Sequence, residues 1–279
     1  MPDTETLAPE KPAQSDAPEQ VLVFEDVSIY FEDHPVLQNV SFEVYRGQTR
    51  ILLGPAGVGK SVLLKLANGL LKPDAGRIFL FGQDISRLSE DELLHLRGRV
   101  GMVFQESALF DSLDVEDNVA YRLEEEHVPA QECADRVLEA LRFVELEHTL
   151  QKFPSELSGG MRRRVAIARA IINKPDLLLY DSPTGGLDPI TSTTIIELVV
   201  KQRDFYGTTA MLVTHRLQDA FVLATHYYDA EKKSMQPIPN NGLNANTSFL
   251  VLNDGKVVFD GSTQELVHSN DPFLKEYLS

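Results

Sequence analysis

Residues 54–61 read GPAGVGKS, and this stretch decides the fold class of the chain. It matches the pattern G-x-x-x-x-G-K-[ST], in which glycines let the backbone wrap around a phosphate chain with successive N–H groups pointing inward. The stretch follows the apolar run ILL and precedes a segment, 60–68, whose apolar residues have helical spacing. This context predicts a phosphate-binding loop (P-loop), in which Lys60 neutralises the β- and γ-phosphates and Ser61 binds Mg²⁺.

Two apolar runs farther along the chain predict buried strands of a parallel sheet. LLLYD at 177–181 and TAMLV at 209–213 have turn signals nearby, and a helical pattern at about 190–206 separates them. This strand–helix–strand order is typical of an α/β fold. Before the P-loop, β-rich runs with turn signals fill residues 21–53, whereas residues 114–172 are predicted to be mostly helical.

The composition excludes several classes of protein. The 279 residues carry 26 Lys and Arg against 42 Asp and Glu, a net charge of −16, which argues against a nucleic-acid binder because that class needs a basic face. Hydrophobic residues make up 43%, enough for a packed core. There is no apolar run of about 18 residues and no signal-peptide pattern, so we expect a soluble cytoplasmic protein. The single cysteine, Cys133, leaves no partner for an intrachain disulfide.

The acidic residues are concentrated in two segments. Residues 1–20 hold five acidic residues and one basic residue, Lys11, together with four prolines. We expect them to form a disordered acidic tail. Residues 124–147 hold eight acids against Arg136 and Arg142, which predicts a solvated helix face. Because both segments lie outside the P-loop, the acidic balance is compatible with an anionic ligand there.

Two further segments carry groups that suit a nucleotide. Asp181 ends the run LLLYD, and a carboxylate there can hold Mg²⁺ directly or through water once a P-loop is present. LSGGM at 157–161 precedes a predicted helix, with Ser158 at the N-cap position and Gly159 and Gly160 leaving the helix N-terminus bare. A bare helix N-terminus is a second anion site on the same chain.

In order and spacing, these motifs resemble the nucleotide-binding subunits of ABC transporters. The resemblance rests on the P-loop, Gln105 after GMVF, LSGGM, LLLYD, GLDP at 186–189 and His215 after TAMLVT, and it covers residues 21–268. It implies an α/β fold: a P-loop NTPase (RecA-like) core with a mainly parallel sheet, an N-terminal antiparallel β-subdomain and an α-helical subdomain at about 106–172.

Two segments extend or depart from this family pattern. Residues 229–247, DAEKKSMQPIPNNGLNANT, stand where a short connection is expected, and their polar composition predicts a long inserted loop. Ser262 and Glu265 form a capping-box pattern before the C-terminal region, where we expect a helix at 269–279.

The resemblance also implies the roles of individual residues toward ATP and Mg²⁺. Gln105 matches the switch residue that contacts Mg²⁺ and the membrane partner, and His215 matches the histidine that senses the γ-phosphate. The implied catalytic residues are Asp181, Ser182, His215 and Gln105, and the implied Mg²⁺ ligands are Ser61, Gln105 and Asp181. The implied ATP contacts are Phe31 (with Tyr30 as the adjacent alternative), Gly54, Pro55, Ala56, Gly57, Val58, Gly59, Lys60, Ser61, Val62, Ser158, Gly159, Gly160 and Asp188.

Members of this family form head-to-tail dimers, in which the P-loop of one subunit faces LSGGM of the other. The resemblance therefore implies a second ATPase subunit, expected to be an identical copy, with two ATP molecules in the interface. This arrangement gives a reason for two anion sites on one chain, since each ATP uses one site from each subunit.

One residue departs from the family pattern at the position that matters for hydrolysis. Family members place Glu directly after the aspartate of the Asp-ending strand, where it orients or deprotonates the attacking water, but here the residue is Ser182. A neutral hydroxyl is a poor general base near neutral pH, and loss of a general base typically costs about 10²–10⁴-fold in rate. We therefore expect tight ATP binding with slow hydrolysis.

Three segments resemble the Mla-type (MCE-associated) phospholipid transport ATPases more specifically: GMVFQESALFDSL at 101–113, NVA at 118–120 and LSGGMRRR at 157–164. This resemblance implies an integral membrane permease and an MCE-domain lipid-binding protein as partners, and a peripheral position on the cytoplasmic face of the inner (plasma) membrane. Ala108, Leu109 and Phe110 are expected to offer an apolar groove for the coupling helix of the permease.

Two other functions share most of these motifs. One is the ATPase of an importer for a polar solute such as an amino acid, which differs in its partners. The other is an ATP-gated interaction module that does not hydrolyse ATP, which the serine at position 182 makes plausible. A periplasmic solute-binding partner would indicate the importer, and absent turnover with retained ATP binding would indicate the module.

Overall fold

The computed structural model of the protein describes residues 18–278. The predicted tail therefore lies mostly outside the described residues, but its last two residues belong to the fold. Gln20 begins the first strand, and the carboxylate of Glu19 accepts hydrogen bonds from Arg46 Nε and Nη2 at 2.5 and 2.7 Å. The predicted end of the tail at residue 20 is wrong by two residues, because Arg46 and the strand before it, which are distant in sequence, hold Glu19 and Gln20.

The described residues form strands and helices, which alternate singly in only part of the chain. The strands are β1 (Gln20–Phe31), β2 (His34–Tyr45), β3 (Thr49–Leu53), β4 (Ala75–Leu80), β5 (Gln83–Asp84), β6 (Val100–Val103), β7 (Leu177–Asp181), β8 (Thr209–Val213), β9 (His226–Asp229), β10 (Ser234–Pro237), β11 (Thr247–Asn253) and β12 (Lys256–Ser262). The helices are α1 (Lys60–Ala67), α2 (Glu90–Arg97), α3 (Val115–Glu125), α4 (Ala130–Phe143), α5 (Gly159–Ile171), α6 (Pro189–Tyr206), α7 (Leu217–Thr225), α8 (Thr263–Val267) and α9 (Pro272–Leu278).

The central sheet has six strands in the order β12-β11-β3-β8-β7-β6, and all of them except β12 run parallel. Register pairs such as Leu52 with Val213 and Asp181 with Val213 align the ends of β3, β7 and β8. Because the carboxyl ends of parallel strands meet at one edge, this sheet brings three loops together. They are the P-loop after β3, the turn after β7 and the segment after β8.

Alternating side chains of the central strands pack into two separate cores. Leu177 and Leu179 of β7 face a cluster that includes Phe24 of the antiparallel sheet, whereas Leu178 and Tyr180 face a cluster with the helices. The antiparallel sheet has the order β2-β1-β4-β5. This arrangement confirms the predicted α/β core with an N-terminal antiparallel β-subdomain.

Helices α3, α4 and α5 pack together beside the central sheet and lie within the predicted helical subdomain. The predicted N-cap of α3 is confirmed, because the Asp114 side chain accepts a hydrogen bond from the backbone N–H of Asp117 at 2.9 Å. The apolar stripe of α4 is buried at Cys133, Val137 and Leu141. None of the described helices is long and apolar enough to cross a membrane.

The segment predicted as a long inserted loop contains regular structure. Strands β9 and β10 form an antiparallel hairpin from His226 to Pro237, followed by a short 3₁₀ turn. The hairpin packs on α6, where the backbone N–H of Met235 donates to Glu197 Oε1 at 2.9 Å. The polar composition therefore misled the prediction, because contacts with α6 order a segment that carries no strong strand signal of its own.

Candidate functional site

The P-loop connects β3 to α1 in a conformation that requires glycine at two positions. Gly54 has φ +147°, and a Cβ there would lie 2.4 Å from the carbonyl oxygen of Leu252. Gly59 has φ +101°, and a Cβ there would lie 2.9 Å from Leu37 Cδ2. The motif glycines are therefore required by close packing against β11 and β2 as well as by the curvature of the loop.

Lys60 begins α1 and lies folded back over the loop. Its Nζ donates hydrogen bonds to the carbonyl oxygens of Gly54 and Pro55, at 2.7 and 2.8 Å, and its side chain is buried. Burial lowers the pKa of this ammonium, and the negative charge of Asp181 opposes that effect. The loop thus concentrates one positive charge and a helix N-terminus in the same place, which is the arrangement that binds a chain of phosphates.

Ser61 and Asp181 meet across the edge of the sheet. Ser61 Oγ donates a hydrogen bond to Asp181 Oδ1 at 3.0 Å, and Asp181 is only 7% exposed. Hydroxyl and carboxylate oxygens are ligands that Mg²⁺ prefers in proteins, so this pair fits the predicted metal. These residues are 120 positions apart in the sequence, and they meet because β3, β8 and β7 lie parallel in one sheet with their ends aligned.

The turn after β7 is built around the backbone of Ser182. Its N–H donates to the carbonyl oxygen of Val213 at 3.0 Å, and its carbonyl oxygen accepts from the Gly185 N–H at 2.9 Å. Ser182 is buried and has φ +47°, a conformation uncommon for a residue with a side chain. These bonds fix the backbone of the residue that directly follows Asp181.

Arg163 contacts this turn from another element, and the sequence motifs did not mark it as a site residue. It lies on α5, it is buried, and its guanidinium donates to the carbonyl oxygens of Phe104, Ser182 and Gly185 at 3.2–3.4 Å. Burial lowers its pKa, while the charges of Glu106 and Asp181 oppose that effect. The only signal in the sequence is the triplet of arginines after LSGGM, where one member faces inward.

Gln105 and His215 lie on either side of the same edge. The side chain of Gln105 reaches the turn after β7, because its Cγ is 3.6 Å from the position that a Cβ of Gly185 would occupy. His215 lies two residues after the end of β8 and is exposed. The structure therefore joins Ser61 to Asp181 beside Lys60, while Gln105 and His215 follow the ends of β6 and β8 at the same edge of the sheet.

Phe31, the predicted adenine contact, ends β1 and is 46% exposed. The β1–β2 hairpin reaches the P-loop, since a Cβ on Gly59 would lie 3.2 Å from Val36 Cγ1. Tyr30 is equally exposed, and its backbone N–H donates to Asp74 Oδ2. An exposed aromatic side chain at the end of a hairpin beside the P-loop suits stacking on a base.

The second predicted anion site is built at the start of α5 and is open to solvent. Ser158 caps the helix by accepting from the Met161 N–H at 3.2 Å, and Gly159 is exposed. A Cβ on Gly160 would lie 2.4 Å from Thr191 Cγ2 of α6, and Asp188 caps α6 through the N–H groups of Ile190 and Thr191. Within the described residues these groups contact α6 rather than the P-loop.

A cavity of about 340 Å³ lies where β6 meets helices α3 and α5. Phe104, Ala108, Phe110 and Tyr121 line it, and the rings of Phe110 and Tyr121 lie 4.7 Å apart. Ala108 and Phe110, two of the three residues of the predicted groove, therefore line this cavity. Leu109 packs against the main core instead.

The sheet order, the P-loop and the carboxylate at the end of β7 define a P-loop NTPase. The ABC transporter family model matches residues 37–185. The chain is 35% identical over 247 residues to the intermembrane phospholipid transport system ATP-binding protein MlaF of Haemophilus influenzae, covering 88% of this chain and 85% of that one. We conclude that the chain belongs to the ABC transporter family.

Two further similarities bear on its function. The chain is 42% identical over 182 residues to the methionine import ATP-binding protein MetN of Carboxydothermus hydrogenoformans, covering 65% of this chain and 54% of that one. Its structure is similar to the dimeric, post-hydrolysis form of the ATP-binding cassette MJ0796 bound to ADP and Pi, with a TM-score of 0.72 and 29% identity. That likeness covers 86% of this chain and 98% of the cassette.

Proposed function

We propose that this chain is the ATP-binding and hydrolysing subunit of an ABC transporter that moves phospholipid between membranes. The observation that carries the nucleotide part is the joint placement of Lys60, Ser61 and Asp181 at one edge of the sheet. The likeness to MlaF supports the lipid part, because it extends over nearly the whole of both chains, whereas the likeness to MetN stops at about half of MetN.

ATP binds with its phosphates along the loop 54–61. The loop N–H groups and the start of α1 hold the phosphate oxygens, and Lys60 leaves its two carbonyl partners to pair with the β- and γ-phosphates. Phe31 stacks on the base from the end of the β1–β2 hairpin. Ser61, Asp181 and Gln105 would hold Mg²⁺, which would supply neutralisation of the charge on the phosphates.

Two copies of the chain face each other head to tail. The start of α5 has an exposed, capped N-terminus with glycines at its first two positions, so it can approach the γ-phosphate of an ATP held by the partner. Asp188, at the start of α6, lies on the same face. The dimeric form of the related cassette MJ0796 supports this arrangement.

Hydrolysis is slow because the position of the general base holds Ser182. Its hydroxyl can orient a water but is a poor acceptor for a proton near neutral pH. His215 contacts the γ-phosphate from the end of β8, and Gln105 contacts the metal and responds to the membrane partner. The expected enzyme binds ATP tightly and turns over at a reduced rate.

The groove at Ala108 and Phe110 receives the coupling helix of an integral membrane permease, which holds the subunit at the cytoplasmic face of the inner membrane. Gln105 directly follows Phe104, which lines the cavity, and so lets a change at the nucleotide pass to the permease. An MCE-domain lipid-binding protein completes the transporter on the other side of the membrane.

Isolation of the tagged full-length chain from detergent-solubilised membranes tests this function. We expect a permease and an MCE-domain protein to co-purify, and ATP with Mg²⁺ to drive phospholipid transfer in vesicles containing the complex. A periplasmic solute-binding protein in place of the MCE-domain protein would indicate a polar-solute importer. Transfer that needs ATP binding but proceeds without phosphate release would indicate the ATP-gated module.

A further inference from the structure

A tyrosine on the last described helix contacts the first residue of the P-loop. Tyr277 Oη accepts a hydrogen bond from the backbone N–H of Gly54 at 3.1 Å, and it lies 3.2 Å from the carbonyl oxygen of Gly54, to which it can donate. The two residues are 223 positions apart, and Tyr277 lies outside the segment that matches the family. The ABC motifs assign no role to this position.

Gly54 is therefore held from two sides. Strand β11 packs closely against it, since a Cβ added to Gly54 would lie 2.4 Å from the carbonyl oxygen of Leu252. On the other side the hydroxyl of Tyr277 satisfies both backbone polar groups of Gly54. A residue clamped in this way fixes where the P-loop leaves β3, and so fixes the direction of the N–H groups that follow it.

The carbonyl oxygen of Gly54 has a second partner, Lys60 Nζ, at 2.7 Å. If Lys60 turns to a phosphate, this carbonyl loses that bond while remaining in a crowded site. The hydroxyl of Tyr277 still satisfies it, so the release of Lys60 leaves no buried acceptor without a partner. An unsatisfied buried acceptor would otherwise oppose binding.

Other contacts anchor α9 without the hydroxyl. Leu274 is fully buried, and Phe273 and Leu278 pack against the main core. The rings of Phe273 and Tyr277 stack with their centroids 5.8 Å apart. Burial raises the pKa of Tyr277, so the hydroxyl keeps its proton near neutral pH and can both accept and donate.

We propose that Tyr277 is a positioning residue for nucleotide binding: its hydroxyl fixes Gly54 and makes Lys60 available to the phosphates. This inference rests on the proposed function, because it takes the P-loop to be the ATP site. It makes the helix α9 part of the nucleotide site, although α9 contributes no group that touches ATP.

The test is the affinity of the purified full-length chain for ATP with Mg²⁺, measured by isothermal titration calorimetry. Tyr277→Phe removes only the hydroxyl, and we expect the Kd to rise about three- to tenfold, the usual effect of one net hydrogen bond. Amide hydrogen exchange at Gly54 should become faster in the same variant. Tyr228→Phe, which removes a hydroxyl on β9, should leave both measurements unchanged.

Phe273→Leu separates positioning from simple docking of the helix. It weakens the ring stack but keeps the hydroxyl, so we expect a lower Tm and an unchanged Kd. A Kd for Tyr277→Phe within 1.5-fold of the unmodified chain (about 0.2 kcal/mol), or an equal rise in Phe273→Leu, would overturn the inference. If the unmodified chain binds no ATP, or if Lys60→Ala binds it equally well, the proposed ATP site itself is wrong.

Discussion

The two helix N-termini that the sequence marks as anion sites differ in how completely this chain builds them. At the start of α1 the loop is packed against β2 and β11, Lys60 is buried, and Ser61 is hydrogen-bonded to Asp181. At the start of α5 the helix is capped by Ser158 but exposed, and its neighbours are on α6. The first site is packed within its own chain, and the second is exposed to solvent.

This contrast indicates that nucleotide binding and turnover depend on different parts of the chain. The P-loop has the charge, the glycines and the hydroxyl that a single copy needs to hold phosphates. The start of α5 offers only backbone N–H groups and a helix dipole, which act when an anion is brought to them. Substitutions at the two sites should therefore separate affinity from turnover.

The largest expected effect concerns the turn between the two sites. Ser182→Glu should raise the ATPase rate of the assembled transporter about 10²–10⁴-fold, because it supplies a general base directly after Asp181. The measurement is steady-state phosphate release. Ser182→Gln is the matched control, since it has similar size without a base, and it should stay slow. Equal rates in the two variants would mean that another group deprotonates the water.

Lys60→Ala should weaken the site at the P-loop. Loss of a charged donor to the phosphates should weaken ATP binding about 10- to 100-fold, since hydrogen bonds to charged groups contribute about 1.5–3 kcal/mol each. Lys65→Ala is the control on the same helix, because Lys65 is exposed on α1. Calorimetric titration with ATP and Mg²⁺ checks both variants. A normal Kd in Lys60→Ala would contradict the proposed binding site.

Gly159→Asp should damage only the open site. There is room for a side chain, since a Cβ there would lie 3.7 Å from Leu187 Cδ2, but a carboxylate repels the γ-phosphate of the facing copy. We expect ATP-dependent dimerisation and turnover to fall about 10-fold or more, the effect of an unfavourable charge contact of about 1.4 kcal/mol. The Kd for ATP of the single copy should change little. Sedimentation with and without ATP measures the dimer, and a dimer that persists would contradict the head-to-tail arrangement.

Ser158→Ala should have the smallest of these effects, a modest loss of thermal stability. It removes the N-cap hydrogen bond to the Met161 N–H, which typically contributes about 1 kcal/mol, so Tm should fall by about 2–4 °C. Ser158→Asn keeps a capping side chain and should restore Tm. Thermal unfolding followed by circular dichroism distinguishes them. If Asn does not restore Tm, capping is not the contribution of this serine.

Most of the fold could be predicted because its signals are local. The P-loop glycines, the apolar runs of β7 and β8 and the cap at Asp114 each act within a few residues, and the structure confirms them. The hairpin β9–β10 could not be predicted, because α6 orders a polar segment through tertiary contacts. The burial of the Arg163 side chain could not be predicted for the same reason, since its three carbonyl partners come from other parts of the chain.

The sequence by itself determined the class of chemistry. A glycine-rich loop followed by Lys60 and Ser61 binds phosphates wherever it occurs between a strand and a helix, and the serine at position 182 is visible without coordinates. Only the tertiary structure decided which distant groups complete the site. The parallel register brings Asp181 to Ser61, and the packing of α9 brings Tyr277 to Gly54. These contacts arise from the packing of whole elements, which no local pattern encodes.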